Sequence, residues 1–284
     1  MNKIQYININ GQFHKADSEV FSIKNRCFQY GDGLFETIHA LGTELQYPAD
    51  HYQRLCRGLD KLQIQKPDSF SFEFFTEQII KLLNKNRIYK GARIRFAAYR
   101  AEGGFYTPVK NHLQFAIEAS PLESEKYELN SKGLTIDIFD KIKKPINILS
   151  SLKTSNALLF TLAGVHKNNL DVDECILLNE NGHICESISS NVFLIQDNTI
   201  YTPPVSDGCI EGVMRKQIIR LAQQLDYKVC DYLHLNIEQL EQAEEIFICN
   251  AIKGIQWIVA YKKKRYFNFT SKKLIQALNR DAFK

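Results

Sequence analysis

A chain of 284 residues with 44% hydrophobic and 24% charged residues can bury a full core and is long enough for one or two domains. The formal net charge of +4 provides no field strong enough to favour nucleic acid, so we expect no nucleic-acid partner. Seven scattered cysteines without paired CxxC spacing favour a reducing cytoplasm and give no expectation of a metal site. We find no run typical of a signal peptide or a bilayer span, so neither secretion nor a membrane partner is expected.

The first half of the chain predicts a sheet with two helices. In chain order, the pattern predicts strands on either side of an Asn10-Gly11 turn, a turn at residues 26–33, a strand at 34–38, helices at 49–62 and 71–88, and strands at 92–96 and 113–117. These elements indicate a small N-terminal domain over residues 1–120. A polar stretch at residues 121–132 is the predicted linker.

The second half predicts strands and helices in no repeated order, over a domain of residues 133–284. The pattern predicts strands at 135–138 and 174–178, a turn at 179–182, a hairpin of residues 191–195 and 199–201 around Asp197-Asn198, a helix at 213–225 and a hairpin turn at 262–265. Strand-rich segments interrupted by helices favour an α+β (mixed α/β) fold over a doubly wound sheet.

Lys153 is a candidate nucleophile in the run Ser150-Ser151-Leu152-Lys153-Thr154-Ser155-Asn156. It stands between an apolar run and a helix predicted to begin near Ser155, which is a strand-end position suited to projecting into a cleft. A lysine that forms a Schiff base needs a partly desolvated pocket or a nearby cation to lower its pKa. Taken alone, the same lysine would be interpreted as a solvated surface charge.

Two further segments would complete a site for pyridoxal phosphate. Glu186 lies on the second strand of a predicted hairpin, where a carboxylate needs a partner such as a protonated pyridine nitrogen. The loop from Gly208 leads into a helix whose first amides, from Val213 and Met214, are suited to binding a phosphate. Without their companions, these would be a salt-bridged glutamate and an ordinary loop.

The ordered set of motifs resembles the class IV aminotransferase family, the fold-type-IV pyridoxal phosphate enzymes. The motifs are Tyr30-Gly31-Asp32-Gly33-Leu34-Phe35-Glu36-Thr37, Lys153, Glu186 with Ser189-Ser190-Asn191-Val192-Phe193, Gly212-Val213-Met214-Arg215 and Cys249-Asn250-Ala251. The resemblance implies a two-domain enzyme with a small N-terminal α/β domain and a larger C-terminal pseudo-barrel domain. It also implies pyridoxal 5'-phosphate as the cofactor, a small-molecule amino substrate and a homodimer.

The resemblance also assigns roles to individual residues. Lys153 would form the Schiff base and then move the substrate's α-proton, and Asn191 would support the site rather than react. The cofactor would be bound by Lys153, Arg54, Glu186, Val213, Met214 and Asn250. The substrate would be contacted by Tyr30, Arg95, Arg100, Tyr106 and Ala251.

Three functions remain open, two of them catalytic. Cleavage of 4-amino-4-deoxychorismate to pyruvate and 4-aminobenzoate, for folate synthesis, ranks first, although Phe105 stands where the lyase-type Gly-Gly-Arg-Gly-Tyr loop has arginine. Transamination ranks second. Leu158 stands where branched-chain enzymes carry tyrosine, and the Arg-x-His trap of D-amino-acid enzymes has no match. A non-catalytic phosphate-ligand or interaction module ranks third.

Overall fold

The computed structural model describes residues 5–283 and divides into two compact units. The first unit comprises the chain up to Lys126 together with Lys153–Asn156, and the second comprises Tyr127–Leu152 and the chain from Ala157. The change of unit after Lys126 falls inside the predicted linker. The segment Lys153–Asn156 lies in the first unit, although the predicted C-terminal domain of residues 133–284 includes it. Residues 1–4 and residue 284 of the predicted ranges lie outside the described residues.

Within residues 5–126, the first unit is an antiparallel sheet of six strands with three helices. The strands are β1 (Tyr6–Ile9), β2 (Gln12–Lys15), β3 (Gly33–Leu41), β4 (Glu44–Leu45), β5 (Gly91–Arg100) and β6 (Leu113–Pro121), in the order β2-β1-β6-β5-β3-β4. The helices are α1 (Arg26–Tyr30), α2 (Pro48–Lys61) and α3 (Phe72–Asn86). Aromatic rings fill the core, where Phe96 lies 4.8 Å from Phe75 and 5.2 Å from Phe115 between ring centroids.

The predicted elements of this unit are confirmed except at residues 26–33. These residues form the short helix α1 instead of a plain turn, because the Asn25 side chain accepts a hydrogen bond from the Phe28 amide and caps the helix. Gly31 ends α1 at a φ of 64°, a left-handed conformation that glycine adopts without strain. The turn that leads into β3 is therefore built from a capped helical turn.

Within residues 127–283, the second unit is a mixed sheet of nine strands with four α-helices and one 3₁₀ turn. The strands are β7 (Leu134–Lys144), β8 (Glu174–Asn179), β9 (Ile184–Ser187), β10 (Asn191–Gln196), β11 (Thr199–Tyr201), β12 (Lys228–Cys230), β13 (Glu245–Asn250), β14 (Gly254–Tyr261) and β15 (Lys264–Arg265). Their order is β12-β11-β10-β13-β14-β7-β8-β9, with β15 paired to β14. The helices are α4 (Leu158–Leu170), α5 (Val213–Gln224), α6 (Ile237–Gln242) and α7 (Phe269–Ala282), and the 3₁₀ turn is Val205–Asp207.

Fully buried strands form the core of this unit. The Phe193 and Phe247 rings stack with centroids 4.8 Å apart on the paired strands β10 and β13. The predicted hairpin around Asp197-Asn198 and the predicted α5 helix are confirmed, whereas α6 and α7 were not predicted. No helix among residues 5–283 combines the length and the apolar character needed to cross a bilayer.

Candidate active site

The predicted site residues form two groups, one in each unit. In the first unit, the main chain at Lys153 is paired to β3. The Phe35 amide donates to the Lys153 carbonyl at 2.9 Å, and the Ser155 amide donates to the Gly33 carbonyl at 2.9 Å. The prediction of a strand-end position was wrong, because β7 ends at Lys144 and the intervening residues form an irregular segment. Helix α4 likewise begins at Leu158 rather than near Ser155.

An aromatic ring of β3 contacts two cations. The Lys153 Nζ lies 4.5 Å from the centroid of the Phe35 ring, and the Arg95 guanidinium lies 3.8 Å from the same centroid. Burial lowers the pKa of Arg95, and the Glu118 Oε1 lies 3.8 Å from the Arg95 Nε. The Lys153 side chain therefore lies against the same ring as Arg95, one of the predicted substrate residues.

Arg54 is held in a buried cluster rather than on the surface of α2. Its Nε donates to Glu36 Oε1 at 2.8 Å and its Nη2 donates to Glu36 Oε2, which also lies 2.6 Å from His51 Nδ1. Burial opposes the charge on Glu36, but Arg54 and His51 outweigh it and hold the pKa of Glu36 at about 2. Two guanidinium nitrogens of the predicted phosphate ligand are thus engaged by a carboxylate of its own unit.

Arg100 has a structural role that the sequence did not reveal. Its buried guanidinium donates to Asp32 Oδ2 at 2.9 Å, to Asn111 Oδ1 at 2.8 Å and to the carbonyls of Leu62 and Gln63 at 2.8 and 3.2 Å. These bonds tie the end of β5 to the segment that follows α2. The geometry therefore gives no support to the predicted contact between Arg100 and substrate.

The loop that contains Phe105 is anchored by an arginine that sequence reasoning missed. Arg26 donates through Nη1 to the carbonyls of Gly103, Gly104 and Phe105 at 3.2, 3.2 and 2.6 Å. Phe105 is 81% exposed and Tyr106 is 90% exposed, while the Tyr30 ring lies 5.5 Å from the Tyr106 ring. The structure thus brings together the two predicted substrate tyrosines.

In the second unit, Glu186 lies on β9, the second strand of a hairpin as predicted. Its buried carboxylate forms an ion pair with Lys144, and its Oε2 accepts a hydrogen bond from the Ile210 amide at 3.0 Å. Lys144 is the last residue of β7 and is also buried. Sequence reasoning missed Lys144, because a lysine that follows Lys141 and Lys143 is normally interpreted as part of a solvated face.

The loop before α5 is fixed at two points. The Ile210 amide bonds Glu186, and the Ile210 carbonyl accepts a hydrogen bond from Asn191 Nδ2 at 2.9 Å. Gly212 is the N-cap of α5, where an added Cβ would meet Asn191 Oδ1 at 1.9 Å. Val213 and Met214 open the helix, so their amides have no acceptor within it and remain donors for an anion.

Asn250 stabilises the turn at the end of β13. Its Nδ2 donates to Ser190 Oγ at 2.9 Å, and its Oδ1 accepts from the amides of Ile252 and Lys253 at 3.0 and 2.9 Å. The Ala251 carbonyl accepts a hydrogen bond from the Tyr127 hydroxyl at 3.3 Å. The predicted contacts of Asn250 with cofactor and of Ala251 with substrate stay predictions.

The donors and acceptors of the second unit fit a group that carries a phosphate and a basic aromatic nitrogen. Each carboxylate oxygen of Glu186 accepts one of these hydrogen bonds, from Lys144 or from the Ile210 amide, and each has a second lone pair that can accept another. The same loop that holds Glu186 delivers the N-terminus of α5, whose amides favour an anion. This fold and this donor set are those expected of a pyridoxal phosphate enzyme of fold type IV.

Comparison with known proteins identifies the family. Residues 33–261 match the family described as amino-transferase class IV, and the chain therefore belongs to the class IV aminotransferase family, whose cofactor is pyridoxal 5'-phosphate. It is 30% identical over 255 residues to an aminodeoxychorismate lyase of Bacillus subtilis, covering 88% of this chain and 84% of that protein. It is 27% identical over 248 residues to a putative branched-chain-amino-acid aminotransferase of Methanocaldococcus jannaschii, covering 85% and 83%.

A solved structure shows the same fold. The branched-chain aminotransferase of Thermoproteus uzoniensis, determined with norvaline, is similar with a TM-score of 0.88 and 22% identity. The similarity covers 98% of this chain and 94% of that one. The mixed α/β architecture predicted from the sequence is thereby confirmed as fold type IV.

Proposed function

We propose that this class IV enzyme cleaves 4-amino-4-deoxychorismate to pyruvate and 4-aminobenzoate, a step of folate synthesis. The observation that carries the proposal is the Ile210–Met214 loop, which joins the buried carboxylate of Glu186 to the N-terminus of α5. Its Gly212-Val213-Met214-Arg215 sequence is of the lyase type, and a lyase is among the relatives at 30% identity.

The residues of this chain divide the work of catalysis. When bound, pyridoxal phosphate supplies an electron sink that stabilises negative charge at the substrate's α-carbon. Lys153 Nζ would hold the cofactor covalently and would move the substrate's α-proton. Glu186 would hold the ring nitrogen, and the amides of Val213 and Met214 would bind the phosphate.

Arg54 is proposed as a further phosphate ligand, with Asn250 near the same group. The bidentate pair with Glu36 fixes the plane of the guanidinium, so Arg54 would act as an oriented positive charge rather than as a mobile one. A variant that keeps the charge but loses the fork, Arg54→Lys, is therefore expected to bind the cofactor more weakly.

Transamination of a branched-chain or D-amino acid is the second candidate. It is favoured by Phe105, since the loop lacks the arginine expected to recognise an acidic substrate and exposes this aromatic ring instead. The two reactions share the proton transfer by Lys153. They differ afterwards, because the lyase expels a leaving group and the transaminase needs a second substrate.

The test is a visible spectrum of the purified protein, recorded before and after addition of aminodeoxychorismate while pyruvate and 4-aminobenzoate are measured. Both products are expected. Conversion of the bound cofactor to its amine form by amino acids, without pyruvate release, would establish a transaminase instead. A protein that shows no cofactor absorbance after incubation with pyridoxal phosphate would be the non-catalytic module.

Lys153→Ala is expected to abolish turnover and the visible absorbance together, because both depend on the Nζ amine. Lys143→Ala is the matched control, since Lys143 is an exposed lysine on β7. Turnover retained in Lys153→Ala would disprove the assignment of Lys153 as the nucleophile.

We also propose that the enzyme is a cytoplasmic homodimer. The exposed aromatic residues Phe28, Phe105 and Tyr106 of the first unit, 73%, 81% and 90% accessible, provide apolar surface for a second copy. Sedimentation velocity should give a dimer. A monomer at all concentrations would contradict this proposal.

A further inference from the structure

Three side chains of the second unit converge away from the predicted cofactor ligands. His183 lies in the turn between β8 and β9, Asp207 ends the 3₁₀ turn, and His234 lies between β12 and α6. One ligand atom from each residue lies within 4.8 Å of the others. Two imidazoles and a carboxylate are the ligand types that divalent first-row metals take in proteins.

The three residues already contact one another. His234 Nδ1 lies 2.7 Å and His183 Nδ1 lies 3.9 Å from Asp207 Oδ1, and the two imidazole rings stack with centroids 4.6 Å apart. Both rings therefore present the same nitrogen to one carboxylate oxygen. A single hydrogen bond satisfies only one of them, whereas a shared cation would engage both.

Two buried polar atoms of the cluster lack a hydrogen-bond partner among residues 5–283. Asp207 is 1% exposed, and within residues 5–283 its Oδ2 has no hydrogen-bond partner. His183 Nδ1 is likewise buried without a hydrogen-bond partner in the same part of the chain. A buried carboxylate oxygen is costly unless it is paired or coordinates a metal.

The backbone around the cluster holds its ligands in place. Asn179, which is fully buried, accepts from the His183 amide at 2.9 Å and donates through Nδ2 to the Asp207 carbonyl at 3.1 Å. The Ile184 amide donates to the Leu235 carbonyl at 2.7 Å, which fixes the segment of His234. The side chain of His234 is 60% exposed, so an ion can enter from solvent.

We propose that His183, Asp207 and His234 bind one divalent first-row transition metal ion such as Zn²⁺, with its remaining position open to solvent. Three protein ligands and an open position are typical of zinc bound by imidazole and carboxylate. The ion would join the β8–β9 turn, the 3₁₀ turn and the segment before α6. Because Asp207 precedes the loop that holds Glu186, the ion would also brace the start of that loop.

This site was not expected from the sequence, since the expectation of no metal rested on cysteine spacing. The three ligands come from three separate segments, so no short motif marks them. A single metal titration tests both the expectation of no metal site and the proposed site at His183, Asp207 and His234.

The experiment titrates the full-length protein, after removal of metals by a chelator, with Co²⁺ followed by visible absorption and with Zn²⁺ followed by calorimetry. One saturable equivalent is expected, and Zn²⁺ should raise the Tm because it binds the folded state. His183→Ala, His234→Ala and Asp207→Asn should each weaken binding by more than about tenfold. His14→Ala, which removes a histidine from β2, should leave binding unchanged.

Absence of saturable binding to the wild-type protein would overturn the proposal, as would affinity that is equal in the wild type and all three variants. Metal binding by the scattered cysteines would give this equal affinity in the wild type and the three variants. The experiment measures metal affinity and not turnover. A failure to bind metal would therefore not count against the proposed lyase reaction.

Discussion

Each unit contains a buried glutamate paired with a cation, and the two pairs are built differently. Glu36 pairs with the guanidinium of Arg54 and the imidazole of His51, and both residues belong to α2. Both carboxylate oxygens of Glu36 are therefore bound by side chains of one helix. Glu186 receives a lysine from the end of β7 and a backbone amide from the loop before α5.

The two pairs differ in how easily they can rearrange: the Glu36 cluster is held rigidly, whereas the Glu186 pair can adapt. A guanidinium fork fixes geometry, whereas an ammonium on a four-carbon stem can move aside without losing its charge. The Glu36 cluster therefore stabilises the packing of α2 on β3. The Glu186 pair is suited to admitting a third partner, which is what a residue that contacts a cofactor nitrogen must do.

Glu36→Gln should produce the largest effect, on stability. It leaves Arg54 buried without its carboxylate, and we expect the free energy of unfolding to fall by about 3–5 kcal/mol. Urea unfolding followed by circular dichroism measures this loss, and Glu44→Gln on the exposed edge strand β4 is the control. Equal stability of both variants would show that the cluster is not structural.

Glu186→Gln should mainly affect turnover. The amide keeps the size of the side chain but not its charge, so kcat should fall by about 100- to 1,000-fold while the protein still binds pyridoxal phosphate. Steady-state kinetics and the visible spectrum measure the two quantities, with Glu128→Gln as an exposed control. Unchanged kcat would exclude contact between Glu186 and the cofactor.

Acid should weaken the Glu36 cluster. The pKa of Glu36 is about 2 when folded against an ordinary value of 4.5, so its carboxylate stabilises the fold above pH 4.5 and this contribution is lost as pH falls towards 2. The full contribution is about 3 kcal/mol, of which about half should be lost between about pH 5 and about pH 3.

Urea unfolding at these two pH values, in the wild type and in Glu36→Gln, measures the loss. The difference in unfolding free energy between the two proteins should narrow at the lower pH. A constant difference would mean that Glu36 does not titrate differently in the folded and unfolded chains.

Lys144→Met should have the smallest effect and should depend on the cofactor. Without Lys144, the buried Glu186 carboxylate keeps only the Ile210 amide among residues 5–283, and we expect the free energy of unfolding of the cofactor-free protein to fall by about 1–3 kcal/mol. Pyridoxal phosphate should restore part of this stability, because in the proposed site its ring nitrogen would be a new partner for Glu186. Thermal unfolding with and without cofactor measures this restored stability, and Lys143→Met is the control. The prediction would be contradicted if the cofactor raised the Tm of both variants by the same amount.

The sequence predicted the elements whose signals are local. The amphipathic spacing of α5 and the Asp197-Asn198 turn, where both residues take a positive φ, are read from adjacent residues. Helix α1 was missed because five residues hold no periodicity, and its cap acts only once the chain is folded.

The site was predictable only as far as family motifs reach. Lys153 and Glu186 stand in such motifs, but Lys144 and Arg26 do not, because their partners come from distant segments. The position of Lys153 depends on its pairing with β3, which no local pattern shows. Long-range hydrogen bonds of buried cations are the part of this site that one sequence alone does not reveal.

The contact between Gly212 and Asn191 bears on how this enzyme could be re-engineered. Any side chain at position 212 would displace the residue that holds the Ile210 carbonyl, so libraries that vary either position alone should return inactive clones. The Gly103–Tyr106 loop carries exposed side chains on a backbone anchored by Arg26. Directed evolution of substrate range would find its accepted substitutions there, whereas positions 191 and 212 would change only as a pair.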